Sequence, residues 1–389
     1  MKIELSKKEK KWLGRISYLL YLGIICEIAL RVYLVYFADD TRFINYASYS
    51  MMENRFKEPG VVPHSFLGYA NNPRYQVGLD QHNSRGFRGE EVLVEKPDSV
   101  FRIVCLGGST TYSSGVEDYK QSYPYLLGEA LNQKGFNVEV INAGCEGYNT
   151  WHSYMNYLLK VEELDPDMLI VYHAVNDLYY TRMVWPPENY LADQSGAINP
   201  YSPRFGILRK LSILRIPLVY AGIIEPDRAM ARVYQVAETG HILTLKEQLL
   251  DGTYPSGIFE EVSLDSMVNT NKPVYFKQNL ERLIQKAKSN GTEVVLSTFI
   301  YSDQFPEFSP ELSLEPYQRG IREHNDITRQ LAEEYELPLL DFVKEMSPEP
   351  QYITDGIHFS LPGNEKRVEI LTEFLSPVIE ASKKGEAEQ

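Results

Sequence analysis

From residue 101 onward the sequence predicts an α/β fold, a three-layer α/β/α sandwich on a mostly parallel sheet. Three observations predict it. Short, continuously apolar runs alternate with longer stretches of helical periodicity. The apolar runs lack an alternating polar face, as strands covered by helices on both sides do. Residues with chemical potential fall just after those runs or just before the final helix, and in open parallel sheets ligands sit beyond the carboxyl ends of the strands.

The elements follow in order. Phe101 to Leu106 reads as a buried strand. Ser122 to Lys134 is a helix with Leu126, Leu127, Ala130 and Leu131 on one side, ended by Gly135. Val138 to Asn142 is the second strand and Thr150 to Glu162 the next helix. After an Asp-Pro-Asp break, Met168 to Tyr172 is the third strand. Lys277 to Lys288 is helical, Glu293 to Phe299 a strand, Tyr317 to Tyr335 a helix and Leu337 to Leu340 a short strand. The last helix is expected from Leu361 to Ile379, with Ser360 as N-cap and Pro362 in its first turn. Between Leu178 and Asn271 the alternation fails, with pieces such as Trp185-Pro186-Pro187 and a helical stretch near Ala229 to Glu247. This is read as an insertion near the mouth of the site, a lid or a substrate-binding subregion. The expected division is a tail and anchor at 1–40, a lead-in packed on the catalytic domain at 41–100, the α/β domain at 101–380 with insertion 178–271, and a disordered tail at 381–389.

The chain has 389 residues, 43% hydrophobic and 24% charged, enough apolar content for a core of ordinary size. Its 39 basic residues against 53 acidic ones leave a net charge of −14, which argues against nucleic acid as a partner because phosphate backbones need a basic face. The cysteines, Cys26, Cys105 and Cys145, show neither metal-ligand spacing nor a disulfide framework. They read as buried, inert thiols; no metal and no cofactor are expected.

Residues 1–15 carry Lys2, Lys7, Lys8, Lys10, Lys11 and Arg15 against Glu4 and Glu9, and the apolar run Ile16 to Phe37 follows. A bilayer needs roughly 20 residues of helix, so this run is read as a spanning anchor. Glu27 and Arg31 interrupt it, but four residues apart they are neighbours on a helix and partly neutralise each other. No small-x-small cleavage site follows directly. Basic residues before the run and Asp39-Asp40 after it predict a cytoplasmic N-terminus and an extracytoplasmic body. An amphipathic helix lying on the membrane is the alternative.

Four segments carry chemistry. Leu106-Gly107-Gly108-Ser109-Thr110-Thr111 follows the first strand, and its glycines let the backbone turn so that the serine emerges at the strand's end. The segment matches neither a P-loop nor a dinucleotide fingerprint, and Gly-x-Ser-x-Gly is absent here. Asn142-Ala143-Gly144-Cys145-Glu146-Gly147-Tyr148 follows the second strand, where a glycine can expose its amide. His173-Ala174-Val175-Asn176-Asp177 follows the third, where the Asn176 side chain can aim N–H groups into the crevice. Near the end stands Thr354-Asp355-Gly356-Ile357-His358. Asp355 can bond one imidazole nitrogen of His358 and so turn the other toward a serine.

Together, in this order, the segments resemble the four signature blocks of the SGNH (GDSL-type) hydrolase superfamily, over residues 101–180 and 350–370. The resemblance implies a flavodoxin-like sandwich and a serine esterase or acyltransferase. By position it implies Ser109 as nucleophile, His358 as base and Asp355 as its orienting carboxylate. It implies an oxyanion hole from the amides of Ser109 and Gly147 and the side chain of Asn176, with Gly144 as the rival glycine. One departure stands out: the family's Gly-Asp-Ser is Gly-Gly-Ser here, which puts substrate class in doubt more than reaction type. The anchor, lead-in and insertion resemble the superfamily's membrane-anchored, cell-envelope members. The expected substrate is an O-acyl group on an envelope carbohydrate. A lipase or lysophospholipase on membrane lipids, with Tyr179, Tyr180 and Trp185 lining an apolar groove, and a non-catalytic glycan-binding envelope protein are the alternatives.

Overall fold

The computed structural model describes residues 6–48, 51, 60–183, 211–223 and 262–387. Two compact units divide the chain, one of residues 1–60 with 199–240, the other of residues 61–198 with 241–389.

In the smaller unit, α1 (Lys7–Tyr36) is a single long helix. Its stretch Lys10–Tyr36 contains an 18-residue window of mean hydropathy 1.8 and is long and apolar enough to cross a membrane. A turn leads into α2 (Asp40–Tyr46), where the Asp39 side chain accepts from the Arg42 amide at 2.8 Å and so satisfies an otherwise orphan donor. The third described helix of this unit is α7 (Ser212–Tyr220), numbered after α3–α6 of the larger unit. Leu34, Phe43, Ala47 and Met51 are buried in this unit.

The larger unit opens with two hairpins. In the first, β1 (Val61–His64) pairs with β2 (Gly68–Asn71); in the second, β3 (Gln76–Val77) pairs with β4 (Asp80–Gln81). Five strands then form one sheet: β5 (Phe101–Gly107), β6 (Val138–Asn142), β7 (Met168–Tyr172), β8 (Glu293–Ser297) and β9 (Leu339–Leu340). Their order is β6-β5-β7-β8-β9, and every pairing is parallel. This is a flavodoxin-like order, and the direction of winding reverses between β5 and β7.

The helices of the larger unit are α3 (Ser109–Tyr112), α4 (Tyr123–Gln133), α5 (Thr150–Asn156), α6 (Val175–Asp177), α8 (Leu264–Thr270), α9 (Val274–Ser289), α10 (Glu315–Glu334) and α11 (Leu361–Ala387). Because strand side chains alternate between faces, the continuously apolar strands feed two cores. Ile103, Cys105 and Ile170 pack with Leu127 and Leu131 of α4 and Leu371 and Leu375 of α11. Val104, Leu106, Leu169 and Val171 pack on the other side with Tyr157, Val161 and, from α9, Leu280, Leu283 and Ile284. Each such fully buried side chain contributes about 1.5–3 kcal/mol. Truncating one, as in Leu371→Ala, is expected to cost about 2–5 kcal/mol.

Several element ends shift by one to three residues, the strand expected to reach Phe299 stopping at Ser297 among them, and three further differences matter more. The helix expected through Glu162 is α-helical only to Asn156, then widens into a π turn over Tyr157–Val161 and tightens to a 3-10 turn at Glu162–Leu164. Asp165 ends it at φ 50°, ahead of Pro166. The strand expected at 337–340 is only Leu339–Leu340. The last helix runs through Ala387, past the expected end at 379 and through most of the tail expected to be disordered. Its start is as expected, with Ser360 Oγ accepting from the Gly363 amide at 3.2 Å. Of the insertion, residues 184–210 and 224–261 lie outside the described residues, and with them Trp185-Pro186-Pro187 and the stretch Ala229 to Glu247.

Candidate active site

The fold places Ser109 directly after β5 and Asn176 after β7, on either side of the point where the sheet reverses its winding. A crevice forms at such a point because the connections leave in opposite directions. At the end of β5 the chain needs glycine. A Cβ on Gly107 would lie 2.0 Å from Thr111 Oγ1, and one on Gly108 would lie 2.5 Å from Asn176 Nδ2 and 2.9 Å from the Tyr148 carbonyl. Gly108 therefore lets Asn176 come close to the serine turn.

Ser109 opens the one-turn helix α3, so its amide has no intrahelical acceptor. Ser113 closes that turn at φ 71°, a left-handed conformation costly for a residue other than glycine. Two buried arginines hold the turn. The Arg88 guanidinium donates to the carbonyls of Tyr112 (2.6 Å), Ser113 (2.9 Å) and Val116 (2.8 Å) and pairs with Asp80 at 2.7 Å. On the other side Arg367 of α11 donates to the Thr110 carbonyl at 3.1 Å and stacks on the rings of Tyr123 and Tyr172, 3.6 and 4.3 Å from their centroids.

His358 comes from a loop 249 positions away in sequence, and its Nε2 lies 2.7 Å from Ser109 Oγ. Its Nδ1 lies 2.6 Å from Asp355 Oδ2, while Asp355 Oδ1 accepts from the amides of Ile357 (3.1 Å) and His358 (2.9 Å). Burial opposes charge on this imidazole, but the hydrogen bond and charge of Asp355, with a further contribution from Glu146, raise its pKa above the ordinary value. Burial likewise opposes charge on Asp355. The hydrogen bonds and charge of His358 and the Ile357 amide outweigh it and hold the carboxyl down at about 2. The loop is fixed from below: Thr354 N donates to the His358 carbonyl at 2.8 Å, and the Gly115 Cα lies so close to the Phe359 carbonyl that a Cβ there would meet it at 2.1 Å.

Asn176 Nδ2 donates to the Tyr148 carbonyl at 2.8 Å. An amide nitrogen carries two N–H groups, so one remains for a ligand. Gly147 sits one residue before Tyr148 at φ 74°, a conformation that favours glycine. The rival Gly144 has its amide committed to Asn142 Oδ1 at 3.1 Å. Next to Asn176, the buried Asp177 carboxylate takes both the amide (3.1 Å) and the hydroxyl (2.5 Å) of Thr150. Adjacent residues of α6 thus tie it to the chain just after Gly147, at Tyr148 and Thr150. Burial pushes the Asp177 carboxyl up to about 7, opposed by the bonds from Thr150.

The structure therefore brings Ser109, His358, Asp355 and Asn176 together, with Gly147 on the loop that Asn176 braces. Sequence reasoning missed Arg88, Arg367, Asp177, Thr150 and Glu146. Asp177 and Glu146 stand beside singled-out residues, and Arg88 lies in the glycine-containing segment Asn83 to Gly89, so weak signals existed. The lead-in also braces the second block: Asn71 Nδ2 donates to the Gly144 carbonyl at 2.9 Å and Tyr69 OH to the Glu146 carbonyl at 2.7 Å. Among the described residues no three ligating side chains gather as a metal site would require.

No curated protein matches the chain. Among solved structures, TesA is 15% identical, covering 71% of this chain and 98% of its own, with a TM-score of 0.37. A lipase/acylhydrolase from Enterococcus faecalis is 17% identical, covering 70% and 94%, with a TM-score of 0.41. The acetyl xylan esterase AlAXEase is 16% identical, covering 69% and 97%, with a TM-score of 0.38. The sequence profile of the GDSL-like lipase/acylhydrolase family matches residues 105–366, from the strand before Ser109 to the helix after His358, and the chain belongs to that family.

Proposed function

We propose that the protein is a serine esterase or O-acyltransferase that works through an acyl-serine on Ser109 and removes or transfers O-acyl groups of an envelope carbohydrate. One observation carries the catalytic part: the unbroken relay from Ser109 Oγ through both nitrogens of His358 to Asp355, with links of 2.7 and 2.6 Å. A serine hydroxyl is a poor nucleophile until a base takes its proton. In this reading His358 Nε2 takes that proton as Oγ attacks the ester carbonyl. The imidazolium is stabilised by Asp355, which also fixes the Nδ1–H tautomer. The carbonyl oxygen becomes an oxyanion facing the Ser109 and Gly147 amides and the free N–H of Asn176. His358 then returns the proton to the leaving alkoxide. Water or a sugar hydroxyl, deprotonated by the same imidazole, releases the acyl group.

The same reading takes α1 as a membrane anchor, with its basic start in the cytoplasm and the catalytic unit outside. The length and hydropathy of the helix and the charge asymmetry around it support this.

The test is a substrate panel. Protein lacking residues 1–40 is incubated with O-acetylated polysaccharides and with phospholipid and lysophospholipid esters, and released acid is quantified. The account expects acetate from the polysaccharides, abolished by Ser109→Ala. Release of fatty acid alone would replace the carbohydrate reading with the lipase one, and no Ser109-dependent release from any ester would end the catalytic reading.

A further inference from the structure

Within the smaller unit, one carboxylate joins two helices. Glu27, in the apolar stretch of α1, accepts from the backbone amides of Ser212 at 2.9 Å and Ile213 at 2.8 Å, and from Arg31 Nε at 2.6 Å. Ser212 and Ile213 begin α7, so Glu27 caps a helix that lies 185 positions further along the chain.

The depth of Glu27 follows from length. The uncharged run before it, Ile16 to Cys26, extends only about 16 Å as helix. That is about half of the ~30 Å hydrocarbon core. A spanning α1 must therefore carry Glu27 and Arg31 inside the bilayer, and the amides bonded to Glu27 go with them. In hydrocarbon the first amides of a helix have no water to bond and need an internal acceptor. Glu27 supplies it.

The composition of α7 fits the same place. Its polar side chains, Ser212 and Arg215, are buried within the unit, and Arg215 Nε donates to the Tyr46 carbonyl at 3.2 Å. What α7 and the following turn present outward is apolar: Pro217, Tyr220 and Ile223, the last two 84% and 69% exposed. The neighbouring exterior of α1 is apolar too, with Ile24, Ile25, Ile28 and Val32 exposed. Nine helical residues rise about 14 Å, close to half the hydrocarbon thickness.

We propose that residues 211–223 form a second membrane-embedded helix, set in lipid in the half of the bilayer crossed by the C-terminal part of α1 and held there by Glu27. This rests on the reading of α1 as a membrane anchor. The insertion then binds the catalytic chain to the membrane at a second point of its sequence.

The test uses the full-length protein in phosphatidylcholine vesicles with Cys26→Ser as background, since Cys105 and Cys145 are buried. An environment-sensitive fluorophore is attached at Tyr220→Cys, at Ile24→Cys as an α1 reference, and at Lys366→Cys as an aqueous reference. Spin-labelled lipids are the quencher. The expected result is blue-shifted emission at positions 24 and 220, each quenched several-fold more than at 366. Quenching at 24 with water-like emission at 220 overturns the proposal and leaves the anchor standing. Water-like emission at both positions overturns the anchor reading and the proposal with it. Blue-shifted but unquenched emission at 220 means protein, not lipid, covers α7, and also overturns it. Glu27→Ala, which removes the cap, is expected to reduce lipid quenching at 220 at least twofold while quenching at 24 persists; unchanged quenching at 220 would remove Glu27 from the account.

Discussion

Two histidine–aspartate pairs in this protein ionise in opposite senses. In the first, His358 Nδ1 and Asp355 Oδ2 are 2.6 Å apart and two backbone amides bond the second carboxylate oxygen. The carboxyl is held down at about 2, and the imidazole pKa is raised. In the second, His173 Nδ1 and Asp177 Oδ2 stand 4.0 Å apart, fully buried. There burial drives the histidine down to about 3 and the aspartate up to about 7. Contact with a partner, together with amides that solvate the anion, outweighs the desolvation cost; a longer gap in a drier place does not. The first pair suits a base that must gain and lose a proton. The second is a brace, with His173 Nε2 2.7 Å from Ser153 Oγ and Asp177 holding Thr150.

The largest expected effect is at the serine the first pair serves. Ser109→Ala should lower hydrolysis of a chromogenic acetyl ester by at least about 10⁴-fold. The circular dichroism spectrum and unfolding midpoint should stay unchanged, because Ser109 Oγ bonds only to His358 among the described residues. Turnover that survives this change would remove Ser109 as nucleophile.

Breaking the first pair comes next. Asp355→Asn should cut kcat/KM on the order of 10³–10⁴-fold. Wild-type activity should fall as the pH drops through the raised pKa of His358, since only the neutral imidazole accepts the proton. In the variant that acid limb should move to lower pH, because the raising influence is gone. Asp177→Asn should leave the limb where it is. An equal shift in both variants would erase the distinction between the pairs.

Asn176→Ala should lower kcat about 10²–10³-fold with little change in KM, as the loss of one oxyanion donor does. A pure KM effect would make Asn176 a substrate-binding residue. Gly108→Asp should also lower kcat, because its Cβ would lie 2.5 Å from Asn176 Nδ2. An increase would mean that Asn176 is held too tightly in the native protein.

The smallest effect concerns the second pair and stability. A carboxyl whose folded pKa lies near 7, against a usual 3.8, keeps its proton longer in the folded state. Stability from this group is therefore greatest below pH 4 and declines as pH rises toward 7. In denaturant titrations Asp177→Asn should flatten that decline. An unchanged slope would show that Asp177 is ionised in the folded protein.

Much of this was legible because the strands are short and purely apolar. Phe101 to Gly107, Val138 to Asn142 and Met168 to Tyr172 announce themselves, and the loops after them could then be read for chemistry. The supports were not legible. Arg88 and Arg367 look like surface residues in a sequence, and their burial against the Ser109 turn comes only from tertiary contacts with Asp80, Tyr123 and Tyr172. Glu27 was read as a charge neutralised by Arg31, whereas it also caps α7. The π turn at Tyr157 to Val161 leaves the helical periodicity nearly intact, so no pattern in the residues announces it.

The central claim is that Ser109 is a nucleophile activated by His358. Labelling with a fluorophosphonate, read by peptide mass spectrometry, tests it most directly. The account predicts a single adduct on the peptide carrying Ser109, no adduct in Ser109→Ala, and labelling slowed at least about 100-fold in His358→Ala. An adduct elsewhere, or equal rates with and without the imidazole, would contradict it.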